Sequence, residues 1–374
     1  MPQNSKEKPY ISIKEACEIL QVSRPTFNKI RKKKKFIEIS NIGRRSRFLR
    51  TEIEKLAETT KKTFTTPLTA DQKKIDLTVF SEDEISSIKT SKTVFDFRRI
   101  RMFDPFGVLS LFNAILQLAN VGRKIHLELE DNFICNHLKN LGFFEMLKRE
   151  NEKNIIYDST ILKTNYDDYF YPIGLTKISM RKQEVPAVEK IINLLRAQGF
   201  SDSIGGYIGW IMGELVDNAM THLVYNEFPS NCYLLAQRYK YKHFPSECLI
   251  IGVADLGPGI QATLKKNPKY KDLTDEQAFL MAFKPKVSSW SDEYNRGKGL
   301  TDILGIAMGN QSVLRVKSGT MEFQTDFRNQ TTRLDQSPIS TSGTLFALVL
   351  IDKDFEMKNK LDVSEFIDGR LAKL

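Results

Sequence analysis

Apolar positions recur at helical spacing in some stretches and alternate or run together in others. The order of these stretches divides the chain. In residues 13–20, Ala16, Ile19 and Leu20 share one helical stripe, and Ser12 stands where an N-cap belongs. Gln21-Val22 makes a turn, and Ser23 caps a second helix, Arg24 to about Lys33, with Pro25 in its first turn. Phe27 and Ile30 of that helix point inward. Phe36-Ile37-Glu38-Ile39 and Arg45-Ser46-Arg47-Phe48-Leu49 then alternate like strands around Asn41-Ile42-Gly43. Farther on, Thr93–Phe97 reads as a buried strand, 108–118 as a helix packed on a sheet, and Lys124–Leu129 as a second strand. A helix ending in Asn140-Leu141-Gly142-Phe143-Phe144 completes a βαβα order, which implies a parallel sheet. Residues 205–225 form a long helix with Ile208, Ile211, Met212, Leu215 and Ala219 on one buried stripe. Leu249–Ala254 is an uninterrupted apolar strand, and Val363, Phe366, Ile367 and Leu371 give the C-terminal tail helical spacing.

These patterns predict a multidomain α/β protein of 374 residues. Its parts are a helix-turn-helix head at 1–62, a linker at 63–74, a small βαβα domain at 75–150, an α/β-sandwich domain at 155–355 and a helical tail at 356–374. Charge sharpens the division. Residues 1–62 hold 17 Lys and Arg against seven Glu and no Asp, which accounts for the whole net charge of +10; the remaining 39 cations and 39 anions balance. An excess segregated in this way marks an anion-binding module, with nucleic acid the commonest target and a solvated lysine-rich surface the plainer alternative. No apolar run is long enough for a membrane span, and the first residues do not follow a signal-peptide pattern. Four scattered cysteines, Cys17, Cys135, Cys232 and Cys248, read as reduced residues of a cytoplasmic protein, without zinc-ligand spacing.

In the head, the second helix turns Arg24, Thr26, Asn28, Lys29 and Arg31 outward, as a helix entering the major groove would. The hairpin carries Arg44, Arg45 and Arg47 toward phosphates or a minor groove. Residues 10–56, from the Lys-Glu-Ala helix through the Val-Ser-Arg turn and the wing to the closing Glu52–Leu56 helix, resemble the winged helix-turn-helix of the excisionase and MerR-like family. That resemblance implies DNA binding, as a dimer or as neighbouring copies. A winged domain used for protein contacts is the alternative.

The middle segment resembles a STAS-like domain, the fold of anti-sigma-factor antagonists, through Phe95-Asp96-Phe97, Phe103-Asp104-x-x-Gly107 and Leu141-Gly142-Phe143. Those antagonists carry a phosphorylatable Ser after the turn aspartate; here Pro105 and Phe106 stand in that place, and neither has a hydroxyl. Ser110 falls inside the helix. The resemblance therefore implies docking, within the chain or to a protein partner, with a plain spacer as the alternative.

Three motifs in the third segment carry chemistry. Glu214, Asn218 and His222 recur at i, i+4 and i+8 on one helix face. A carboxylate and a carboxamide one turn apart suit magnesium that keeps most of its waters, the Asn oxygen ligating and the carboxylate orienting a water or acting as base. Asp255 at a strand end can accept an adenine amino group, and Gly257 and Gly259 let the backbone approach base and ribose, with Ile260 following. Arg296-Gly297-Lys298-Gly299-Leu300 is a glycine turn opening a helix, whose free N–H groups and neighbouring cations suit phosphates.

Taken in this order the three resemble the N, G1 and G2 boxes of the GHKL ATPases, which include histidine kinases, anti-sigma-factor kinases and type II topoisomerases. Ser342-Gly343-Thr344 matches the family's Gly-Thr pair near adenine. The resemblance spans about 185–352 and implies Mg-ATP. Asn218 would bind magnesium, Glu214 would be the catalytic carboxylate, Asp255 would read adenine, and Gly297 and Gly299 would hold phosphates. Thr344 would lie by the base, and 261–296, with Lys284, Lys286, Ser288 and Ser289, would form the ATP lid. His222 is a phosphate-side contact or a structural residue. No hairpin with an acceptor histidine and no long C-terminal transducer is visible, so the anti-sigma-factor kinase group is the nearest match. Two functions follow: a DNA-bound regulator switched by slow ATP turnover, or a protein Ser/Thr kinase acting on a separate substrate with Glu214 as base.

Overall fold

The computed structural model describes residues 10–19, 38–39, 47–49, 51, 53–54, 72–76, 92–98, 104–162, 173–179, 185–197, 202–224, 231–239, 248–289, 299–351 and 362–372. The chain divides into two compact units, residues 1–69 and 70–374.

In the first unit, β1 (Tyr10–Ser12) leads into α1 (Ile13–Ile19), followed by β2 (Glu38–Ile39) and β3 (Arg47–Leu49). The cap of α1 is reciprocal: Ser12 Oγ accepts from the Glu15 N–H at 3.3 Å, and Glu15 Oε2 accepts from the Ser12 N–H at 2.7 Å. β3 is the centre of an antiparallel sheet, flanked by β1 and β2, and the β2–β3 pair is the expected hairpin. Tyr10–Ser12 was not foreseen as a strand; it closes the sheet over Ile11, Ala16, Phe48 and Ile53, all fully buried.

The second unit opens with β4 (Gln72–Asp76), β5 (Lys92–Asp96), α2 (Pro105–Asn120), β6 (Lys124–Glu128), α3 (Phe133–Asn140), α4 (Phe143–Glu150) and β7 (Ile155–Ile156). The four strands form a wholly parallel sheet in the order β4-β5-β6-β7. β4 begins inside the stretch read as linker, and β7 lies beyond residue 150, so the sheet runs past both expected limits. Asp104 caps α2, accepting from the Gly107 N–H at 2.8 Å, with Pro105 in the first turn where its missing N–H costs nothing. The helix expected to end near Asn140 does end there, but Gly142, at φ +75°, turns the chain directly into α4.

The remainder runs β8 (Ile173–Ile178), α5 (Val185–Ala197), α6 (Asp202–Val224), β9 (Cys232–Tyr239), β10 (Cys248–Asp255), α7 (Ile260–Leu264), α8 (Asp275–Met281), α9 (Gly299–Gly309), β11 (Val313–Asp326), β12 (Thr331–Ile351) and α10 (Ser364–Leu371). The five strands form an antiparallel sheet in the order β11-β12-β10-β9-β8. Along β10 side chains alternate between two cores. Leu249, Ile251 and Val253 face α5, α6, α8 and α9, whereas Cys248, Ile250 and Ala254 face α2. Both faces are covered, which is why the strand reads as one apolar run.

The helix α2 is apolar on every side because it lies between the two sheets, touching β9, β10 and β12 on one side and β6 and α4 on the other. Phe112 meets Tyr233 at 4.6 Å and Phe143 at 5.8 Å between ring centroids. Residues 75–150 and 155–355 thus share a core within one unit. Arg315 of β11 closes the edge of that contact. Its guanidinium lies 3.8 Å from the Phe106 ring centroid, 3.6 Å from Asp104 and 3.0 Å from Glu322.

Candidate functional site

The buried stripe of α6 fixes the helix roll, and the roll decides where its polar residues go. With Ile208, Ile211, Met212, Leu215 and Ala219 all buried, Glu214 and Asn218 stand together at the margin of the core, half-buried and one turn apart. Gly299, the first residue of α9, lies against both. A Cβ there would overlap Glu214 Oε2 and sit 3.3 Å from Asn218 Nδ2. Burial, followed by the like charges of Asp217 and Asp302, pushes the Glu214 carboxyl above its ordinary range. Asn218 Nδ2 is buried and has no hydrogen-bond partner. A carboxamide can present either end, so this group can donate to an anion or, turned over, give its oxygen to a cation.

The second cluster forms where β10 ends. Asp255 Oδ1 accepts from the Gly257 N–H at 2.7 Å and Oδ2 from the Thr344 N–H at 3.2 Å. Burial pushes its carboxyl up to about 6, against the lowering effect of those two bonds. Two glycines permit the arrangement. Gly343 takes φ +82°, and a Cβ on it would overlap the Asp255 carbonyl; Gly259 takes φ +84°, with Ser318 Oγ 2.7 Å from where its Cβ would be. Ser318 is fully buried and links three segments. It accepts from the Ile260 N–H at 2.7 Å, donates to the Gly343 carbonyl at 3.1 Å, and lies 3.2 Å from Thr344 Oγ1. Gln261 in turn donates to the Ser318 carbonyl at 2.6 Å. Neither Ser318 nor Gln261 was singled out from the sequence; their one signal is a polar residue at a core-facing position.

The structure therefore joins Glu214, Asn218 and Gly299 in one group and Asp255, Gly257, Gly259, Ile260 and Thr344 in another. The elements that carry the two groups are in contact: α6 lies on β9 and β10, and α9 lies on α6 and β11. Ile260 and Leu300 are partly buried against the helix-side core. Arg296, Gly297 and Lys298 lie outside the described residues, as does the side chain of His222. So do Arg24, Thr26, Asn28, Lys29, Arg31, Arg44 and Arg45; Arg47 is described only as backbone in β3.

Of the segment expected to form the ATP lid, 261–296, residues 261–289 are described, and they fold and pack. Thr274 and Gln277 form a capping box on α8, and Leu264, Tyr270, Ala278, Phe279, Leu280 and Phe283 are buried. Thr301 Oγ1 donates to the Phe283 carbonyl at 2.9 Å, and Lys284 pairs with Asp368 of α10.

Comparison with known proteins gives a helix-turn-helix domain family whose model matches residues 10–61. The match points to a DNA-binding regulatory function for that segment. No curated protein and no solved structure gives a match to the chain. Among the described residues, no helix is long and apolar enough to cross a membrane, and no group of His, Cys, Asp and Glu could hold a metal ion by itself.

Proposed function

We propose that the chain is a DNA-binding regulator whose second unit binds Mg-ATP in a site of the GHKL type, with DNA bound by a winged helix-turn-helix in the first. The observation that carries the nucleotide reading is the meeting of Gly299 with Glu214 and Asn218, from helices far apart in sequence, around a carboxamide nitrogen that is buried and unpaired. Asn218 would hold the magnesium ion, which supplies charge neutralisation on the phosphates when bound. Asp255 would accept from the adenine amino group, its two oxygens aimed by the Gly257 and Thr344 N–H groups. Glu214, in a setting that favours its proton, suits a base that accepts one from an attacking water or hydroxyl.

The parallel-sheet layer enters this reading as a fixed component. Its STAS-like turn offers Pro105 and Phe106 where an antagonist has its phosphorylated serine, and Arg315 covers Phe106. Separating this layer would expose Phe112, Tyr233 and the apolar face of β10. A switch by undocking is therefore disfavoured, and slow turnover within one body is the form proposed. The cytoplasm is the compartment proposed for this function.

Calorimetric titration tests the site. Mg-ATP should bind the wild-type chain, and Asn218→Ala should abolish the magnesium dependence; no binding to folded wild-type protein would end the nucleotide reading. With γ-labelled ATP, release of free phosphate supports the regulator, whereas label on a partner's Ser or Thr supports a protein kinase. For the head, Arg24→Ala combined with Arg45→Ala should weaken DNA retention in a gel shift, and unchanged retention would remove the DNA claim.

A further inference from the structure

The helix α2 belongs to the parallel-sheet layer, yet two of its side chains reach the backbone that frames Asp255. Asn113 Nδ2 donates to the Asp255 carbonyl at 2.9 Å, and Gln117, one turn on, donates to the Ser342 carbonyl at 3.3 Å. Asn113 is buried, and its Oδ1 has no partner. We propose that Asn113, assisted by Gln117, is a positioning residue for the nucleotide site, holding the peptides that immediately precede those whose N–H groups aim the Asp255 carboxylate at the base. This inference rests on the nucleotide reading given above.

The geometry makes the two bonds act on one frame. The Asp255 carbonyl fixes the peptide plane that leads to Gly257, whose N–H holds Oδ1. The Ser342 carbonyl precedes Gly343 and Thr344, and the Thr344 N–H holds Oδ2. Gly343 is pressed against the same Asp255 carbonyl that Asn113 engages. A rotation of either peptide would therefore swing one donor away from the carboxylate. The helix that supplies both amides is itself pinned. Leu109 abuts Gly252, Phe112 is wedged against Tyr233, and Phe106 lies under Arg315. Close packing of this kind transmits a displacement rather than absorbing it.

A side chain that only satisfied a buried carbonyl would affect stability and no more. A positioning residue would also change which base is read and at what pH. The test uses the full chain, with Asn113→Leu, Gln117→Ala and, as a control in the same layer contact, Gln237→Leu, which removes the 3.2 Å Gln237–His137 contact opposite Ile250, five residues back along β10 from Asp255. Affinities for Mg-ATP and Mg-GTP are measured by titration across pH, with unfolding midpoints for each variant. Asn113→Leu is expected to weaken Mg-ATP by about tenfold, the scale of one hydrogen bond, and to narrow the ATP-to-GTP ratio by a similar factor. The pH below which Mg-ATP affinity falls should rise, because loosened N–H donors no longer favour the charged carboxylate. Gln237→Leu should lower the unfolding midpoint and leave the ratio unchanged. The inference is overturned if folded Asn113→Leu keeps the wild-type ratio and pH profile, or if Gln237→Leu reproduces its effects. Should Asn113→Leu fail to fold, Gln117→Ala decides, with a smaller loss of Mg-ATP affinity expected and none overturning the claim. A wild-type chain without Mg-ATP affinity would instead remove the nucleotide reading before any variant is compared.

Discussion

Gly299 and Glu214 are in steric register: the first residue of α9 has no side chain because the carboxylate of α6 occupies the place where a Cβ would be. The atom in the way is the end of a flexible side chain, so Gly299→Ala can be relieved by turning Glu214 aside. The fold should survive with a change of about 1 kcal/mol or less. On the nucleotide reading with Glu214 as base, catalysis should not survive as well, because a displaced base loses the factor of roughly 10²–10⁴ that positioned proton transfer provides. Single-turnover release of phosphate should fall by at least about a hundredfold, while Mg-ATP affinity changes far less. Equal losses in both would mean that Glu214 is not the base.

Gly343→Ala should behave in the opposite way. Here the obstructing atom is the Asp255 backbone carbonyl, and φ is +82°. No rotamer relieves either problem, and the strained backbone alone costs an alanine about 1–2 kcal/mol. The clash adds to this because β10 and β12 would have to part. A loss of roughly 3 kcal/mol or more is expected, read as a lower denaturation midpoint in urea. A variant as stable as the wild type would refute the close approach.

Local signals in the sequence were faithful where local forces decide. The Ser12 cap of α1 and the i, i+4 placement of Glu214 and Asn218 follow from neighbours within one turn, whereas the helix expected from 108 begins at Pro105. What remained hidden depends on partners far along the chain. Gln72–Asp76 is too polar to announce a strand, and becomes one by pairing with β5. The segment 261–296 is expected to be a lid from its place between the Asp255 and Gly299 motifs, which says nothing of how it packs. Its Thr-x-x-Gln cap and the Phe279–Phe283 spacing were the legible warning that it packs as helix. Asn113 and Ser318 were invisible for a related reason: a lone polar residue within an apolar pattern does not say which backbone group it meets.

Ser318→Ala isolates the link between the Gly259 turn and the Gly343-Thr344 strand. The alanine leaves the buried Ile260 N–H without its acceptor, and such an orphan costs about 1–3 kcal/mol. Ser318→Thr does not repair this, since a fully buried site with Gly259 and Gly343 alongside has no room for a methyl. Both variants should unfold at lower temperature and bind Mg-ATP more weakly. A thermal shift within error of the wild type, with unchanged affinity, would assign Ser318 no linking role.

The acid dependence of stability should expose two buried groups that offset each other. Burial pushes the Asp255 carboxyl up to about 6 from an ordinary value of 3.8, so the folded chain binds this proton more readily than the unfolded one. Its stabilising contribution is complete below about 3.8 and is lost as pH rises through 6. Burial pulls His137 down to about 4 from 6.5, so its contribution is complete above 6.5 and is lost as pH falls through 4. Each shift corresponds to about 3 kcal/mol at most, with opposite sign over nearly the same window. Wild-type stability should therefore be only weakly affected by this pair between pH 4 and 6.5. Asp255→Asn removes one arm. The variant carries a pH-independent cost, because its amide nitrogen must face the Gly257 or Thr344 N–H, but it no longer buries a charge, so relative to wild type it should stand best at pH 7 and lose ground steadily toward pH 4. Its remaining His137 arm should then make its unfolding midpoint fall more steeply with acid. On the nucleotide reading, affinity has the reverse dependence, because the charged carboxylate accepts from the adenine amino group more strongly than the neutral acid, whose hydroxyl also competes as a donor: the Mg-ATP dissociation constant should rise by up to about tenfold per pH unit below 6 in the wild type. In Asp255→Asn the dissociation constant should be high and flat. Parallel pH profiles for wild type and Asp255→Asn, in denaturant titrations and in nucleotide binding, would show that Asp255 does not titrate in this range and is not the base-reading carboxylate.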